Sequence, residues 1–332
     1  MVVWHHAANQ IPGVSTRVAW VFGSYGVDLF FVISGFIMVV TTDGRNTRPL
    51  DFWQRRIIRV VPLYWLLTLL MVTVAVIAPG LFKTLKVAPE TLLQSLFFIP
   101  HFSQSFPGLV WPLLVPGWTL HFEMFFYALF GLTLLLPQRL RMIALTTVLL
   151  GLVATGLLFG PFETASARTY THIMLLEFVA GAWIGKAWLT RRFQPAFAIS
   201  FLALVSGLGL LLLGNQPPLG PFTQIVGATV AVIGALHPAF AAWKNRVLAA
   251  IGDSSYSLYL THLFTLGALR YLWARVFPFA PGDAEAAAFM VVSLLVCVCV
   301  GWLTYRGVEQ PLLKRLGRHA VWRASSALVT SR

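Results

Sequence analysis

Several charged or polar side chains of this sequence lie inside long apolar stretches, where an ionisable group is costly unless it is paired or lies in a wet cavity. They are His5, His6, Asp28, His121, Glu123, Glu177, Asp253 and His262. A basic cluster, Arg55, Arg56 and Arg59, directly precedes another apolar stretch. Residues in such places are functional hypotheses by default. The chemistry that they could carry is proton transfer and the binding of an anionic ligand.

The adjacent histidines His5 and His6 are the first candidates for proton transfer. A neutral imidazole can take a proton from a hydroxyl because it titrates near neutral pH. A histidine in a membrane helix can equally form a hydrogen bond between two helices. Neighbouring positions of a helix point about 100° apart. At most one of the two rings is therefore expected to face a given cavity.

The three arginines share one flank of a helix, because Arg59 is three residues after Arg56 and four after Arg55. They could anchor the chain to the membrane surface or contact lipid phosphates. They could also clamp the phosphates of an anionic cofactor, since the planar guanidinium group matches phosphate oxygens. Orienting the chain in the membrane does not require three arginines at the start of one apolar stretch, which favours the phosphate clamp.

The segment Trp118–Glu123 carries a carboxylate early in an apolar run. Thr119, Glu123 and Tyr127 recur at every fourth position and so share one face of a helix. A buried Glu123 could be a structural acceptor for Tyr or Trp donors. It could instead orient a catalytic histidine, as the third group of a hydrolase triad orients its base.

Motifs of soluble enzymes are missing from the sequence, which contains no G-x-S-x-G, H-E-x-x-H or H-x-x-x-D. Gly181–Lys186 reads GAWIGK, one residue short of a phosphate-binding loop, so Gly181 and Gly185 are expected to permit close helix packing. Cys297 and Cys299 form neither a CxxC pair nor a zinc set. We therefore predict neither a disulfide nor a metal site.

The amino-acid composition predicts which kind of secondary structure must position these residues. The chain has 332 residues, 58% of them apolar and 11% charged, with a mean hydropathy of +0.78. Soluble domains are about 45–50% apolar and about 25% charged, and the excess cannot be buried in one or two soluble cores. A soluble enzyme, a disordered chain and a fibrous repeat are excluded. We predict an all-α, polytopic membrane protein of about ten transmembrane helices, forming one integral domain over residues 1–332.

Ten apolar runs support this count, separated by charged or Gly/Pro-rich breaks. They are Val2–Ala8, Gly26–Thr42, Pro62–Ala78, Gly117–Pro137, Met142–Gly160, Ile173–Thr190, Ala196–Gly214, Phe222–Trp243, Val247–Ala268 (broken at 252–255) and Ala286–Tyr305. The segment Val2–Ile11 is about half a membrane span. We therefore expect either a start upstream of Met1 or a truncated first helix.

Basic residues predict the orientation. The net charge is +13, and ten crossings place 18 of the 24 Lys and Arg residues on one side. The positive-inside rule makes that side cytoplasmic, with both termini there and residues 306–332 as a cytoplasmic basic tail. The charge thus indicates membrane orientation rather than a nucleic-acid partner. The six basic residues on the other side are Arg17, Lys83, Lys86, Arg168, Arg270 and Arg275.

Seven blocks of the sequence, in order and over nearly the whole chain, resemble the acyltransferase family 3 of integral membrane acyltransferases. They read VVWHHA (2–7), GVDLFFVISGFIM (26–38), FWQRRIIRVVPLYW (52–65), PGWTLHFEMFFYALF (116–130), LLEFVAGAWIG (175–185), IGDSSYSLYLTH (251–262) and YRGVEQPL (305–312). His6 matches the family's histidine, and His5 stands where an aromatic residue is usual. The family's arginine, about ten residues upstream, would precede Met1.

The resemblance implies transfer of an acyl group, commonly acetyl from acetyl-CoA, to a hydroxyl of an exported polysaccharide, lipopolysaccharide or related glycan. The sequence around Glu123 and Glu177 is similar to that of the exopolysaccharide-production branch of the family. The implied location is the bacterial inner membrane. The implied partners are acyl-CoA as co-substrate, a glycan or lipid-linked sugar as acceptor, and membrane lipids, with no permanently bound cofactor.

The resemblance also implies roles for individual residues. His6 would deprotonate the acceptor hydroxyl, and Glu123 would orient that histidine or balance its charge. Arg55, Arg56 and Arg59 would bind the phosphates of CoA. Trp118 and Tyr127 would line the substrate cavity.

Two rival functions remain open. Ten spans with buried charges would also suit a transporter or glycan flippase, although such proteins often show two matching halves and none are visible here. A non-catalytic member of the family, acting as a membrane partner, is the second alternative.

Overall fold

The computed structural model describes residues 1–11, 25–78, 80, 84–190, 195–213, 220–243, 245–277 and 283–317. Within those residues every regular element is helical and no strand occurs. The all-α prediction is therefore confirmed. The basic residues Arg17, Lys83, Arg191, Arg192, Lys244, Arg318, Arg323 and Arg332, used above to predict orientation, lie outside the described residues.

Fourteen α-helices occur in the described part of the chain. They are α1 (Val2–Ala8), α2 (Gly26–Thr42), α3 (Pro49–Ile77), α4 (Pro89–Leu96), α5 (Trp118–Thr133), α6 (Gln138–Phe159), α7 (Ala165–Tyr170), α8 (Leu175–Leu189), α9 (Phe197–Leu213), α10 (Gly220–Ala235), α11 (Pro238–Ala242), α12 (Arg246–Asp253), α13 (Ser255–Val276) and α14 (Asp283–Thr304).

Several of these helices are long and apolar enough to cross a bilayer. Among the described residues three qualify by length and composition, namely Pro49–Ile77, Gln138–Phe159 and Ala284–Gly317. Shorter apolar helices cover Gly26–Thr42, Phe197–Leu212 and Gly220–Ala235. A membrane-spanning chain agrees with these lengths, since a crossing needs about 20 residues. The count of ten spans stays a prediction.

The third apolar run was predicted to begin at Pro62, after the arginines, and this boundary is wrong. Helix α3 begins at Pro49, with that proline in its first turn, and continues through Pro62 to Ile77. A count of apolar residues stops at charged side chains, but a helix continues wherever its backbone hydrogen bonds do. Consequently the three arginines lie in the first half of one continuous helix that also contains the apolar run.

Three other boundaries can be compared with the predicted apolar runs. The break at 252–255 is confirmed, because α12 ends at Asp253 and α13 begins at Ser255. The eighth run is divided at His237, whose ring caps α11 by accepting a hydrogen bond from the Ala239 amide. Helix α14 passes through a π-helical turn at Tyr305–Glu309 and continues to Gly317. Residues 306–317 are therefore helical, and the rest of the predicted tail lies outside the described residues.

The chain divides into two compact units, which we describe separately. Unit 1 comprises residues 1–33 and 190–309. In it α1 packs against α13 and α14 through a core that includes Val3, Ala7, Leu266 and Phe289. Helices α9 and α10 pack closely at Gly207, where an added Cβ would lie 2.3 Å from the Ala231 backbone nitrogen. A side chain at that glycine would force the two helices apart.

Unit 2 comprises residues 34–189 and 310–332. In it α5 packs against α3, and the Trp53 indole on α3 donates a hydrogen bond of 2.9 Å to the Tyr127 carbonyl on α5. Gly185 permits close packing as predicted, because a Cβ there would lie 2.9 Å from the Phe36 carbonyl oxygen. The α3–α5 contact places Arg56 and Arg59 of α3 near the Glu123 carboxylate of α5.

Candidate active site

Unit 1 contains one candidate functional region, a group of three rings, His5, His6 and His262, which we call the histidine cluster. The His6 ring centroid lies 4.9 Å from that of His262 and 5.3 Å from that of His5. Helix α1 holds His5 and His6, and α13 holds His262. The sequence left the role of His262 open, and the structure brings it next to His6.

His5 and His6 differ in their surroundings. The Asn9 amide nitrogen lies 3.1 Å from His5 Nε2. An amide NH₂ group can only donate, so His5 Nε2 accepts this bond with its lone pair. The other ring nitrogen of His5, Nδ1, is buried and has no hydrogen-bond partner among the described residues. The lone pair of His5 is therefore already engaged.

His262 is completely buried, and its tautomer follows from its contacts. Its Nδ1 lies 2.5 Å from the Tyr259 carbonyl oxygen, which accepts a hydrogen bond, so Nδ1 carries the proton. In a neutral imidazole Nε2 then carries the lone pair. This Nε2 is buried without a hydrogen-bond partner among the described residues.

Unit 2 contains a separate candidate region, around the buried carboxylate of Glu123. Glu123 accepts hydrogen bonds from the Ser34 hydroxyl, at 3.2 Å, and from the Tyr127 hydroxyl. All three side chains are buried. Two roles were predicted for Glu123, a structural hydrogen-bond acceptor and a residue that orients a histidine. The structure shows the first, with the Tyr127 hydroxyl as a donor. Its role in orienting His6 stays a prediction, since His6 belongs to unit 1.

Two of the three predicted arginines belong to the same group in unit 2. The charges of Arg56 and Arg59 act on the Glu123 carboxyl. The guanidinium carbon of Arg56 also lies 5.7 Å from the centroid of the Phe52 ring and 5.8 Å from that of Tyr127, within the range of a cation–π contact. We call Ser34, Arg56, Arg59, Glu123 and Tyr127 the Glu123 cluster.

The three arginines are not equivalent. Arg56 and Arg59 are half-buried, whereas Arg55 is exposed. The Nε atom of Arg56 is buried and has no hydrogen-bond partner among the described residues. The helix therefore turns Arg56 and Arg59 toward the carboxylate, while Arg55 points outward.

The two predicted cavity residues lie at different levels of α5. Trp118 begins the helix, is half-buried and packs edge-on against Phe122. Tyr127 lies nine residues later, which is about 13 Å along a helix, and is a buried member of the Glu123 cluster. Their common role in one substrate cavity stays a prediction.

Sequence reasoning missed two buried polar contacts. In unit 2 the His101 ring centroid lies 6.3 Å from that of His121. In unit 1 the Ser257 hydroxyl donates a hydrogen bond to Glu309, which is buried at the end of the π-helical turn. His121 lies inside an apolar run and Glu309 shortly after one, and these positions were the signal that the sequence offered. Their partners are distant in the sequence.

Comparison with known proteins decides the family. The sequence model of a family described as "Acyltransferase domain" matches residues 1–306. The chain belongs to this acyltransferase family. It is therefore an acyltransferase, which confirms the predicted enzyme class and disfavours the transporter alternative. No solved structure matches the chain.

Curated relatives of this acyltransferase match it over most of its length. The exopolysaccharide production protein ExoZ of Rhizobium meliloti (strain 1021) is 39% identical over 316 residues, covering 93% of this chain and 94% of that protein. The acyltransferase MdmB of Streptomyces mycarofaciens is 25% identical, covering 94% and 86%. The O-acetyltransferase OatA of Staphylococcus aureus (strain NCTC 8325 / PS 47) is 27% identical, covering 95% of this chain and 55% of that protein.

Proposed function

We propose that this acyltransferase moves an acyl group, commonly acetyl, from acyl-CoA to a hydroxyl of an exported polysaccharide or related glycan. The observation that carries the proposal is the 39% identity to an exopolysaccharide production protein over 93% of the chain. A relative named as an O-acetyltransferase supports an oxygen acceptor. We propose separate roles for two groups of residues, the reaction for the histidine cluster and donor binding for the Glu123 cluster.

His6 is the proposed general base. It removes the proton of the acceptor hydroxyl as the oxygen attacks the thioester carbonyl carbon. The C–O bond forms, the C–S bond breaks, and the CoA sulfur leaves with the proton that His6 took. His6 is preferred over His5 because the Asn9 amide already occupies the lone pair of His5 Nε2.

Arg55, Arg56 and Arg59 are the proposed ligands of the CoA phosphates. Arginine suits this role because its guanidinium group offers several donors in a planar fork. Glu123 and the rings of Phe52 and Tyr127 hold Arg56 in place before the donor arrives. Arg55 is exposed and would make the outermost contact.

The proposed location is the bacterial inner membrane, with both termini in the cytoplasm. CoA esters are made in the cytoplasm, so the arginine-bearing start of α3 should face that side, in agreement with the positive-inside rule. A reporter enzyme that works only in the cytoplasm should be active when it is fused after Arg332. A reporter that works only in the periplasm should be inactive there. A periplasmic terminus would contradict the ten-span topology.

A transfer assay tests the proposed function. Inverted membrane vesicles from cells with and without the gene are given acetyl-CoA labelled in its acetyl group, and the polysaccharide is isolated. We expect base-labile label on the polysaccharide only when the protein is present, with mass spectrometry locating the ester. Unlabelled polysaccharide whose export is lost without the gene would indicate a flippase. Unlabelled polysaccharide whose export is the same with and without the gene would indicate a non-catalytic member.

A further inference from the structure

We infer that His262 is the positioning partner of His6, accepting a hydrogen bond from the His6 ring through its Nε2 lone pair. This bond would fix which nitrogen of His6 carries the lone pair that faces the acceptor hydroxyl. The inference rests on the proposed role of His6 as the base. It assigns a function to a residue that lies 256 positions after His6 in a sequence of 332 residues.

The hydrogen bonding of His262 is the first argument. The Tyr259 carbonyl oxygen takes the Nδ1 proton, so Nε2 can only accept. Nε2 is buried without a partner among the described residues, whereas buried polar atoms of native proteins are nearly always hydrogen-bonded. His262 therefore offers one unused acceptor, and its backbone contact prevents the ring from turning that acceptor into a donor.

The distance between the two rings is the second argument. The ring centroids of His6 and His262 lie 4.9 Å apart and the ring planes are tilted by 40°. An N–H···N bond of about 3 Å between two imidazole rings places their centroids roughly 5 Å apart. The rings are thus at the separation that such a bond requires, and a change of ring orientation is enough to form it.

The packing around His262 is the third argument. Its side chain is completely buried, and Leu266, one turn later on α13, packs in the core with Val3 and Ala7 of α1. The helix that carries His6 is therefore fixed against the helix that carries His262. Among the described residues, the titratable groups that interact electrostatically with His6 are His262 and His5.

The chemical consequence concerns the step in which His6 takes the proton. A hydrolase triad uses a carboxylate to hold the tautomer of its histidine. Here the neutral imidazole of His262 would hold the tautomer of His6 by accepting its hydrogen bond. No proton would be transferred to His262. When His6 becomes an imidazolium, its N–H···N bond to His262 becomes charge-assisted and stronger. The arrangement stabilises the protonated base without placing a second full charge in the membrane.

Three substitutions separate a positioning role from a structural one. His262→Gln keeps an acceptor near the place of Nε2, whereas His262→Asn keeps a donor near the place of Nδ1 for the Tyr259 carbonyl. His262→Leu keeps neither. We expect the Leu and Asn variants to lose about 10- to 100-fold of the acetyl-transfer rate, as loss of an orienting partner commonly does, and the Gln variant to regain most of it. The KM for acetyl-CoA should not change.

The matched control is Thr265→Val, a buried position on the same helix whose hydroxyl bonds only its own helix backbone at Thr261. It should transfer acetyl groups at the wild-type rate. The amount and monodispersity of each variant after detergent extraction are measured first, so that misfolding is detected separately.

Two outcomes would overturn the inference. Wild-type activity in the Leu variant would show that His262 has no role in the reaction. Activity in the Asn variant but not in the Gln variant would show that the Tyr259 contact, a structural feature, is what matters. If His6→Ala itself retains activity, the proposed base is wrong whatever the His262 variants do.

Discussion

The two clusters of polar residues in this protein differ in how far the Glu123 carboxylate of one and the imidazole rings of the other are hydrogen-bonded. In the Glu123 cluster the carboxylate accepts two hydroxyl bonds and is balanced by two arginines. In the histidine cluster, by contrast, His262 Nε2 and His5 Nδ1 are buried without partners among the described residues. A carboxylate whose hydrogen bonds are made is held in place, whereas the His262 lone pair is free to accept a hydrogen bond from a neighbouring ring. This difference agrees with our proposal that the Glu123 cluster binds the donor and the histidine cluster transfers the proton.

The largest expected effect is that of His6→Ala. Loss of a general base commonly lowers the rate by about 10²- to 10⁴-fold, so acetylation of the polysaccharide should be abolished at normal protein levels. The measurement is mass spectrometry of the isolated polysaccharide. His5→Tyr is the matched control and should be tolerated, because it restores the aromatic residue usual at that position. Loss of activity in His5→Ala, with His6→Ala active, would move the base by one residue.

The next effect is that of Arg59→Ala on the binding of acetyl-CoA. Loss of a charged hydrogen bond costs about 1.5–3 kcal/mol, so the dissociation constant should rise roughly 10- to 150-fold. Arg59→Lys should restore only part of the affinity because the fork geometry is lost. Isothermal titration of the detergent-solubilised protein measures both variants. Unchanged affinity in the Ala variant would remove Arg59 from the donor site.

A smaller effect is expected from Tyr127→Phe, which removes one of the two hydroxyl donors to Glu123 while keeping the ring beneath Arg56. A net hydrogen bond is worth about 0.5–1.5 kcal/mol, so the thermal unfolding temperature should fall by a few degrees. Acetyl-transfer activity should survive with a modest rise in KM. A large loss of kcat at unchanged stability would place Tyr127 in the chemistry and weaken the contrast between the clusters.

The smallest expected effect lies outside both clusters, at the end of α2. Burial of the Asp43 carboxyl by itself raises its pKa, but hydrogen bonds from Lys186 and Gln138 outweigh this, so the pKa lies below its ordinary value of 3.8. The stabilisation is therefore present above pH 3.8 and is lost as the pH falls below it. Because the pair is partly exposed, Asp43→Asn should cost only about 0–1 kcal/mol. Thermal unfolding near neutral pH checks this, and a larger loss would contradict it.

The sequence was a good guide wherever hydrophobicity alone sets an element. The apolar runs Val2–Ala8 and Gly26–Thr42 coincide with α1 and α2, and the Gly-Asp-Ser-Ser break separates α12 from α13. It was a poor guide where charged residues continue a helix, as at the start of α3 and beyond Tyr305. In both places backbone hydrogen bonding, which is insensitive to side-chain charge, extends the element.

The candidate site was predictable residue by residue but not as an arrangement. Glu123 and Tyr127 share a helical face, so their contact follows from spacing. The contacts of Glu123 with Ser34 and of His6 with His262 join residues from distant helices, and no local pattern encodes them. The outward position of Arg55 also depends on where α3 packs, which the spacing of the three arginines does not reveal.

Our central claim is that proton transfer and donor binding belong to different clusters. The most direct test is to compare the steady-state kinetics of acetyl transfer by His6→Ala and Arg59→Ala in inverted vesicles while the acetyl-CoA concentration is varied. A lost transition-state interaction lowers kcat, whereas a lost binding interaction raises KM. We predict that His6→Ala lowers kcat by at least about 100-fold with the KM for acetyl-CoA unchanged. Arg59→Ala should raise that KM while retaining most of kcat. The opposite pattern, with KM raised by His6→Ala and kcat lost in Arg59→Ala, would contradict the account.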